Sequence, residues 1–215
     1  MSSATPFRPR LEILPASQRR IWEELGDVPS EFVLYGGTAL ALRLGHRQSV
    51  DFDFFCQNRF RPDALISQMK VLEEAEIVQQ APDTLTVLVH RDQPVKLSFF
   101  GLPGLARLLP PDIAPGNRLQ IASLLYLAGT KASVVLQRSE AKDYLDIDAI
   151  LSDGAVDLAA ALRAARAIFG DRFNPLITLK ALSFFDDGDL RLLPAATKRR
   201  LTRAVRSVDP SGPSP

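Results

Sequence analysis

The sequence predicts an α/β (α+β) fold over its first half and a helical second half. Three observations carry that expectation: a short strand-like run that breaks at Gly36-Gly37 and passes straight into a helix-like run, the alternating segment Val50 to Phe55, and the disappearance of clear strand signals beyond Pro110-Pro111. With 215 residues, of which 46% are hydrophobic, the chain can bury either one large core or two small ones.

The elements follow in order. In SQRRIWEELGDV, Ile21, Trp22 and Leu25 recur at helical spacing, Ser17 stands where an N-cap belongs, and Gly26 can end the helix. Phe32 to Tyr35 is short and aromatic and is bounded by two glycines, which predicts a buried strand; Thr38 then caps the helix ALALRLG, closed by Gly45. Val50 to Phe55 predicts a second strand, and Pro62 to Glu74 a helix with proline in its first turn. Leu85 to Val89 and Val95 to Phe100 predict strands joined by a turn containing Asp92. Beyond the prolines at 103, 110, 111 and 115, helical periodicity runs through Leu119 to Leu136, Ala141 to Leu151, Leu158 to Phe169, Pro175 to Phe185 and Ala195 to Val205. The expected domains are therefore residues 11–112 and 113–207, with residues 1–10 and 208–215 loose because they hold little to bury.

Composition excludes several classes. No basic start leads into an apolar run and no stretch of about 18 apolar residues occurs, so a cytoplasmic protein with no membrane partner is expected. Cys56 is the only cysteine, which excludes an intramolecular disulfide and a cysteine-based zinc site. With 26 basic and 25 acidic residues the net charge is +1, so a polyanion must be held by local patches rather than by a global field. One such patch is Lys198, Arg199, Arg200, Arg203 and Arg206, whose other reading is a solvated helix face.

The chemistry concentrates around the first two strands. On an extended strand, side chains two apart share a face about 6.5 to 7 Å apart, so Asp51, Asp53 and Phe55 face one way and Val50, Phe52 and Phe54 the other. Two carboxylates held that close repel unless a cation stands between them, and magnesium, which takes oxygen ligands and shares its shell with substrate phosphates, suits the role. An Asp-x-Asp pair alone also occurs on ordinary solvated strands. The preceding turn sharpens it, because Gly36 and Gly37 let the backbone approach a ligand while the start of the helix at Thr38 offers free N–H groups to an anion. The plainer reading of that turn is a tight strand-to-helix connection. GGTALALRLG has neither the dinucleotide fingerprint nor a Walker ending.

The run GGTALALRLGHRQSVDFDFF resembles the signature of the AbiEii/AbiGii-type nucleotidyltransferases, the toxin halves of bacterial abortive-infection and toxin–antitoxin pairs, which share a polymerase-beta-like fold with a mixed sheet. Segments similar to VKLSFF, to Leu124–Arg138 with its lysine and arginine, to KDYLDI and to FFDD follow in the family's order, so the resemblance covers about residues 30 to 190. It implies that Gly36, Gly37 and Thr38 contact nucleotide phosphates, with Arg47 beside them, and that Asp51 and Asp53 bind Mg2+ or Mn2+. It also implies that Lys131, Arg138, Lys142 and Asp143 bring a charged cluster to the triphosphate from a helical domain packed on the active site. Lys131 and Arg138, seven apart, would lie on one helix face. The alternative for Lys142, Asp143 and Asp146 is a set of surface ion pairs and caps.

The expected activity is transfer of a nucleotidyl group from a nucleoside triphosphate to an RNA (tRNA included) or protein acceptor, with a cognate antitoxin as an implied partner. One departure stands out. Where the wider fold commonly puts a third carboxylate on a neighbouring strand, this chain has Ser98 in Lys96-Leu97-Ser98-Phe99, and serine replaces neither a base nor an ionised ligand at neutral pH. Asp143 or Asp146 could supply the missing acid, one of the Asp51/Asp53 pair could serve as base, or the protein could be a weak or inactive nucleotide- or RNA-binding module. A sugar-nucleotide transferase reading of Asp-x-Asp is disfavoured by the absence of an N-terminal βαβ nucleotide-binding pattern.

Overall fold

The computed structural model describes residues 7–208. It divides into two compact units, one running to Leu105 and including Pro110–Ser123, the other made of Ala106–Leu109 and the chain from Leu124 onward. The expectation of loose ends at residues 1–6 and 209–215 lies outside the described residues. Residues 7–10 are not loose: the Arg10 N–H donates to the Leu42 carbonyl at 2.8 Å, and the Phe7 ring lies 4.5 Å beneath the Arg43 guanidinium.

The first unit is a seven-stranded mixed sheet in the order β3-β4-β5-β2-β1-β7-β6. Its members are β1 (Val33–Tyr35), β2 (Asp51–Cys56), β3 (Glu76–Ala81), β4 (Thr84–His90), β5 (Pro94–Gly101), β6 (Asp112–Ile113) and β7 (Gln120–Ile121). β2 runs antiparallel to β1 and parallel to β5, with Asp51 opposite Lys96 and Asp53 opposite both Tyr35 and Ser98. Alternation then sorts the side chains. Phe52, Phe54, Leu97 and Phe99 are fully buried on one face, where Phe54 stacks on Phe99 at 4.9 Å and Trp22 of α1 (Ala16–Glu24) stacks on Phe52 at 6.4 Å. Each such ring removes enough apolar surface to contribute about 1.5–3 kcal/mol. Asp51 and Asp53 therefore point to the opposite face as a by-product of the aromatic face being buried.

α2 (Gly36–Leu44) begins two residues before the expected cap, directly on Tyr35, and ends as expected at Gly45 with a left-handed φ of 63°. Thr38 is thus inside the helix rather than before it. Ser17 is likewise no cap: α1 starts at Ala16 behind Pro15, and the Ser17 hydroxyl accepts from the Gln93 N–H at 3.0 Å. α3 (Pro62–Gln68) is shorter than expected, its continuation being a tight 3-10 turn at Lys70–Leu72.

Two stretches depart from the sequence reading. β3 went unread because all six of its residues are exposed, so it lacks the alternation that marks a half-buried strand. Residues 113–123, expected to open the helical half, instead contribute to β6 and β7, which complete the sheet. Arg43 at the end of α2 fixes them, donating to the Ala122 carbonyl at 2.8 Å, to the Ile121 carbonyl at 3.2 Å and to Asp112 Oδ2 at 2.6 Å.

The second unit is helical: α4 (Leu124–Val134), α5 (Ala141–Asp153), α6 (Leu158–Phe169), α7 (Pro175–Ala181) and α8 (Ala195–Ser207). Its core gathers Tyr144, Ile147, Leu158, Leu162, Phe173 and Leu201 among others. α4 and α6 meet closely at Gly129, where a Cβ would stand 2.9 Å from the backbone of Ala164 and Ala165. Asp157 caps α6 through the Ala160 N–H at 2.7 Å and Asn174 caps α7 through the Leu176 N–H at 3.0 Å. No helix of the described residues is long and apolar enough to cross a membrane.

Candidate active site

In the first unit, Gly36, Gly37, Thr38, Arg47, Asp51 and Asp53 come together at one end of β1 and β2. Gly36 adopts φ +71°, a conformation that costs an L-residue about 1–2 kcal/mol. A Cβ there would lie 2.9 Å from Asp53 Oδ2. The next glycine is equally confined: a Cβ on Gly37 would meet Ser49 Oγ at 2.7 Å and Arg47 Nη2 at 2.8 Å. Backbone, carboxylate and guanidinium thus share a space that only glycine leaves open. Tyr35, the residue before α2, supplies no side-chain cap, so the first-turn N–H groups of the helix keep their ability to bind an anion.

Thr38 takes a different part from the one expected of its side chain. It is 1% exposed, its hydroxyl donates to the Asp51 carbonyl and it receives a weak bond from Gln18 Nε2 at 3.5 Å. The hydroxyl ties α2 to β2 and sets the position of Asp51, leaving only the Thr38 backbone to face a ligand. Arg47 donates to the Gln48 carbonyl at 2.8 Å while its guanidinium lies against Gly37.

Asp51 and Asp53 are both half-buried on the same face of β2. Lys96 Nζ stands 3.0 Å from Asp51 Oδ2, a contact the sequence reading missed. The parallel, in-register pairing of β2 with β5 places them opposite each other, and no short-range signal in the sequence reports that register. Ser98 is 3% exposed and sits opposite Asp53, so the position where a third acid was sought is a neutral hydroxyl. Among the described residues no group of three or more His, Cys, Asp or Glu side chains forms a metal cage. Magnesium needs no such cage: it is commonly held by one or two carboxylates and completed by water and substrate phosphates, and an all-oxygen pair beside a helix start without a side-chain cap fits it. Cys56, on the other face of β2, donates to the Asn58 carbonyl at 3.0 Å.

In the second unit the structure gathers Lys131, Arg138 and Asp143 and adds Asp146. Lys131 Nζ lies 2.7 Å from Asp143 Oδ1 and 2.6 Å from Asp146 Oδ2, with both carboxylates fully buried. Arg138 Nε donates to Asp143 Oδ2 at 2.8 Å and Nη2 to Oδ1 at 3.3 Å. Burial is the largest influence on the Asp143 carboxyl and pushes it up, but the Arg138 hydrogen bonds and the Lys131 charge together outweigh it and hold it below the ordinary carboxylate range. The hydrogen bond to Asp143 in turn holds the Arg138 guanidinium above its ordinary value. Lys131 and Arg138 do not share a helix face, since α4 ends at Val134; a turn brings Arg138 back to the same carboxylate. Nor are these surface pairs, apart from Lys142, which is exposed and pairs with Glu140 Oε2 at 2.6 Å. Of the two Phe-Phe pairs, Phe99 is buried, Phe100 and Phe185 are partly so, and Phe184 is 54% exposed.

The family described as "Nucleotidyl transferase AbiEii toxin, Type IV TA system" matches residues 20–214. An uncharacterized protein of Aquifex aeolicus is 30% identical over 178 residues, covering 81% of this chain and 84% of its own. Among solved structures, a proposed nucleotidyltransferase from H. pylori is similar at TM-score 0.55 and 19% identity, over 88% of this chain and 90% of that one. MenT4, a nucleotidyltransferase toxin from Mycobacterium tuberculosis H37Rv, is similar at TM-score 0.58 and 15% identity, over 89% and 83%. At those identities the two structures speak for the fold.

Proposed function

This chain belongs to the AbiEii nucleotidyltransferase toxin family, and from that premise we propose that it transfers a nucleotidyl group from a nucleoside triphosphate to an acceptor hydroxyl of RNA, tRNA included, or of a protein. The observation that carries the reading is the contact between the glycine turn and Asp53, which joins an anion-binding helix start to a carboxylate pair in a single small space. In the reaction the acceptor oxygen bonds to the α-phosphorus, the bond from that phosphorus to the bridging oxygen breaks, and pyrophosphate leaves with the electron pair. Mg2+ or Mn2+ held by Asp51 and Asp53 would neutralise charge on the phosphates. The N–H groups at Gly36, Gly37 and Thr38 orient the triphosphate, and Arg47 offsets its charge.

The acceptor proton passes to the Asp51/Asp53 pair. Asp143 is poorly suited to receive it, because both its oxygens already accept from Arg138 or Lys131 and its proton affinity is depressed. We assign Lys131 and Asp143 to a mutually supporting charged couple. Lys131 has three N–H donors and two carboxylate partners, leaving one donor for a phosphate. Arg138 and Lys142 are the more exposed cations of that cluster and serve as nucleotide contacts. Membership of a toxin family implies a cognate antitoxin as its partner, and the cytoplasm is its proposed place of action.

Ser98 motivates a second reading, a nucleotide- or RNA-binding module with little turnover. Incubation of the purified protein with magnesium, each labelled triphosphate and total RNA or extract separates the two. Label transferred by the native chain and lost in Asp51→Ala/Asp53→Ala establishes the transferase and identifies base and acceptor. Triphosphate-dependent thermal shifts without transfer establish the binding module.

A further inference from the structure

The cations near the C-terminus resolve into two kinds. Arg200 is committed to α5: its guanidinium engages both oxygens of Asp148, which also accepts from Thr197 at 2.7 Å. Lys198 donates to the Arg191 carbonyl at 3.0 Å and lies 5.8 Å over the Phe185 ring. Arg199, Arg203 and Arg206 are exposed and make no hydrogen bond or ion pair among the described residues. They recur at i, i+4 and i+7 on α8, a stripe about 10 Å long on one helix face. That stripe walls a groove of about 590 Å3 lined by Ser183, Phe185, Lys198, Arg199, Thr202, Arg203 and Arg206.

We propose that this groove binds single-stranded RNA, with the arginines on successive phosphates and the Phe185 ring as a stacking surface for a base. Among the described residues no acidic side chain lines it, so the four cations give the groove a positive field. The two hydroxyls present are spent on the backbone, Ser183 on Leu179 and Thr202 on Lys198, both at 2.8 to 2.9 Å, which leaves the guanidinium groups as the donors that face a ligand. Planar guanidinium groups beside an aromatic ring suit a strand that offers both phosphates and flat bases, whereas an acidic peptide would use only the charge. The choice of RNA rests on the transferase reading, while the binding itself does not require turnover.

The test is therefore made on the full Asp51→Ala/Asp53→Ala chain, by fluorescence anisotropy with a labelled 20-nucleotide RNA across a salt series. Arg199→Gln/Arg203→Gln/Arg206→Gln, all on the solvent side of α8, is expected to keep its melting temperature, lose at least about tenfold in affinity and lower the log–log salt slope by about 2, from about 0.7 per phosphate contact. Arg61→Gln/Arg163→Gln/Arg172→Gln removes the same charge elsewhere and is expected to bind as before. Unchanged affinity in the α8 variant, or equal loss in both, overturns the proposal. Loss of binding to a glutamate-rich peptide with RNA affinity retained also overturns it, assigning the groove to an acidic protein partner. Failure here leaves the transfer assay standing, and failure of the transfer assay leaves RNA binding measurable.

Discussion

Two pairs of aspartates show how differently one protein can treat the same chemical group. Asp51 and Asp53 are half-buried on β2, with the partly exposed Lys96 beside Asp51, the neutral Ser98 opposite Asp53 and the glycine turn against the Asp53 carboxylate. Asp143 and Asp146 are completely buried, with Lys131 between them and Arg138 closing Asp143 from the other side. Carboxylates paired with protein cations in this way are structural capital for the helical unit. Carboxylates that are only half-buried beside a glycine turn stay accessible to a cation that arrives from solution. Burial, rather than residue type or motif, separates the two.

The comparison breaks most visibly at Asp53. Asp53→Asn is expected to reduce triphosphate-dependent transfer about a thousandfold, the scale of several kcal/mol of lost charge stabilisation, with a melting temperature within a degree or two of the native chain. Wild-type stability combined with wild-type transfer in that variant would sink the site assignment.

Asp143→Asn should do the reverse at the level of folding. Removing one partner of a buried pair leaves Lys131 under-compensated, so urea denaturation is expected to show a loss of about 3–5 kcal/mol. The sign in pH follows from the depressed Asp143 carboxyl: its contribution is complete above the unfolded-state carboxylate value and fades as pH falls towards the lower folded value. Native stability should therefore drop on acidification below about pH 4, and the Asp143→Asn variant should show a shallower acid limb.

Gly36→Ala tests the turn. The added methyl meets both a left-handed φ and Asp53 Oδ2, so transfer should fall about a hundredfold by displacement of the carboxylate, with about 1–2 kcal/mol lost in unfolding titrations. The smallest effect is expected of Lys96→Ala. Its partially exposed pair with Asp51 contributes no more than about 1 kcal/mol to stability, and the useful readout is magnesium affinity, which should rise when the competing ammonium is removed.

The site was legible from sequence to the extent that it is local. GGTAL and DFDFF encode a turn and an alternation within a few residues, and the structure realises both as a glycine turn against a two-faced strand. What the sequence could not report is register. Lys96 reaches Asp51 because β5 pairs in parallel with β2 across an intervening helix and two strands. Residues 112–123 join the sheet because Arg43, some seventy positions earlier, claims their backbone carbonyls and Asp112. Arg138 joins Lys131 through a turn that ends a helix the periodicity would have continued. In the second unit helix positions followed from periodicity alone, whereas the sequence reading places Lys131 at a ligand and Asp143 and Asp146 there or in surface ion pairs, because nothing in a linear pattern distinguishes a buried ion pair from a solvated one.

The sheet ends on β3, and its irregularity bears on how the protein behaves at high concentration. Among the described residues β3 is hydrogen-bonded only to β4, and its pairing slips between Ile77 and Gln79, leaving Val78 out of step with its partner. An unbroken outer strand carrying exposed Ile77 and Val78 would be a ready template for the same strand of another molecule, and stacking of that kind builds fibres. The bulge bends that rim and interrupts its row of donors and acceptors, with Glu76, Gln79 and Gln80 adding polarity around the two apolar side chains. A kink of one residue thus breaks the straight, regular rim that strand-by-strand polymerisation needs, at the very place where two greasy side chains are exposed.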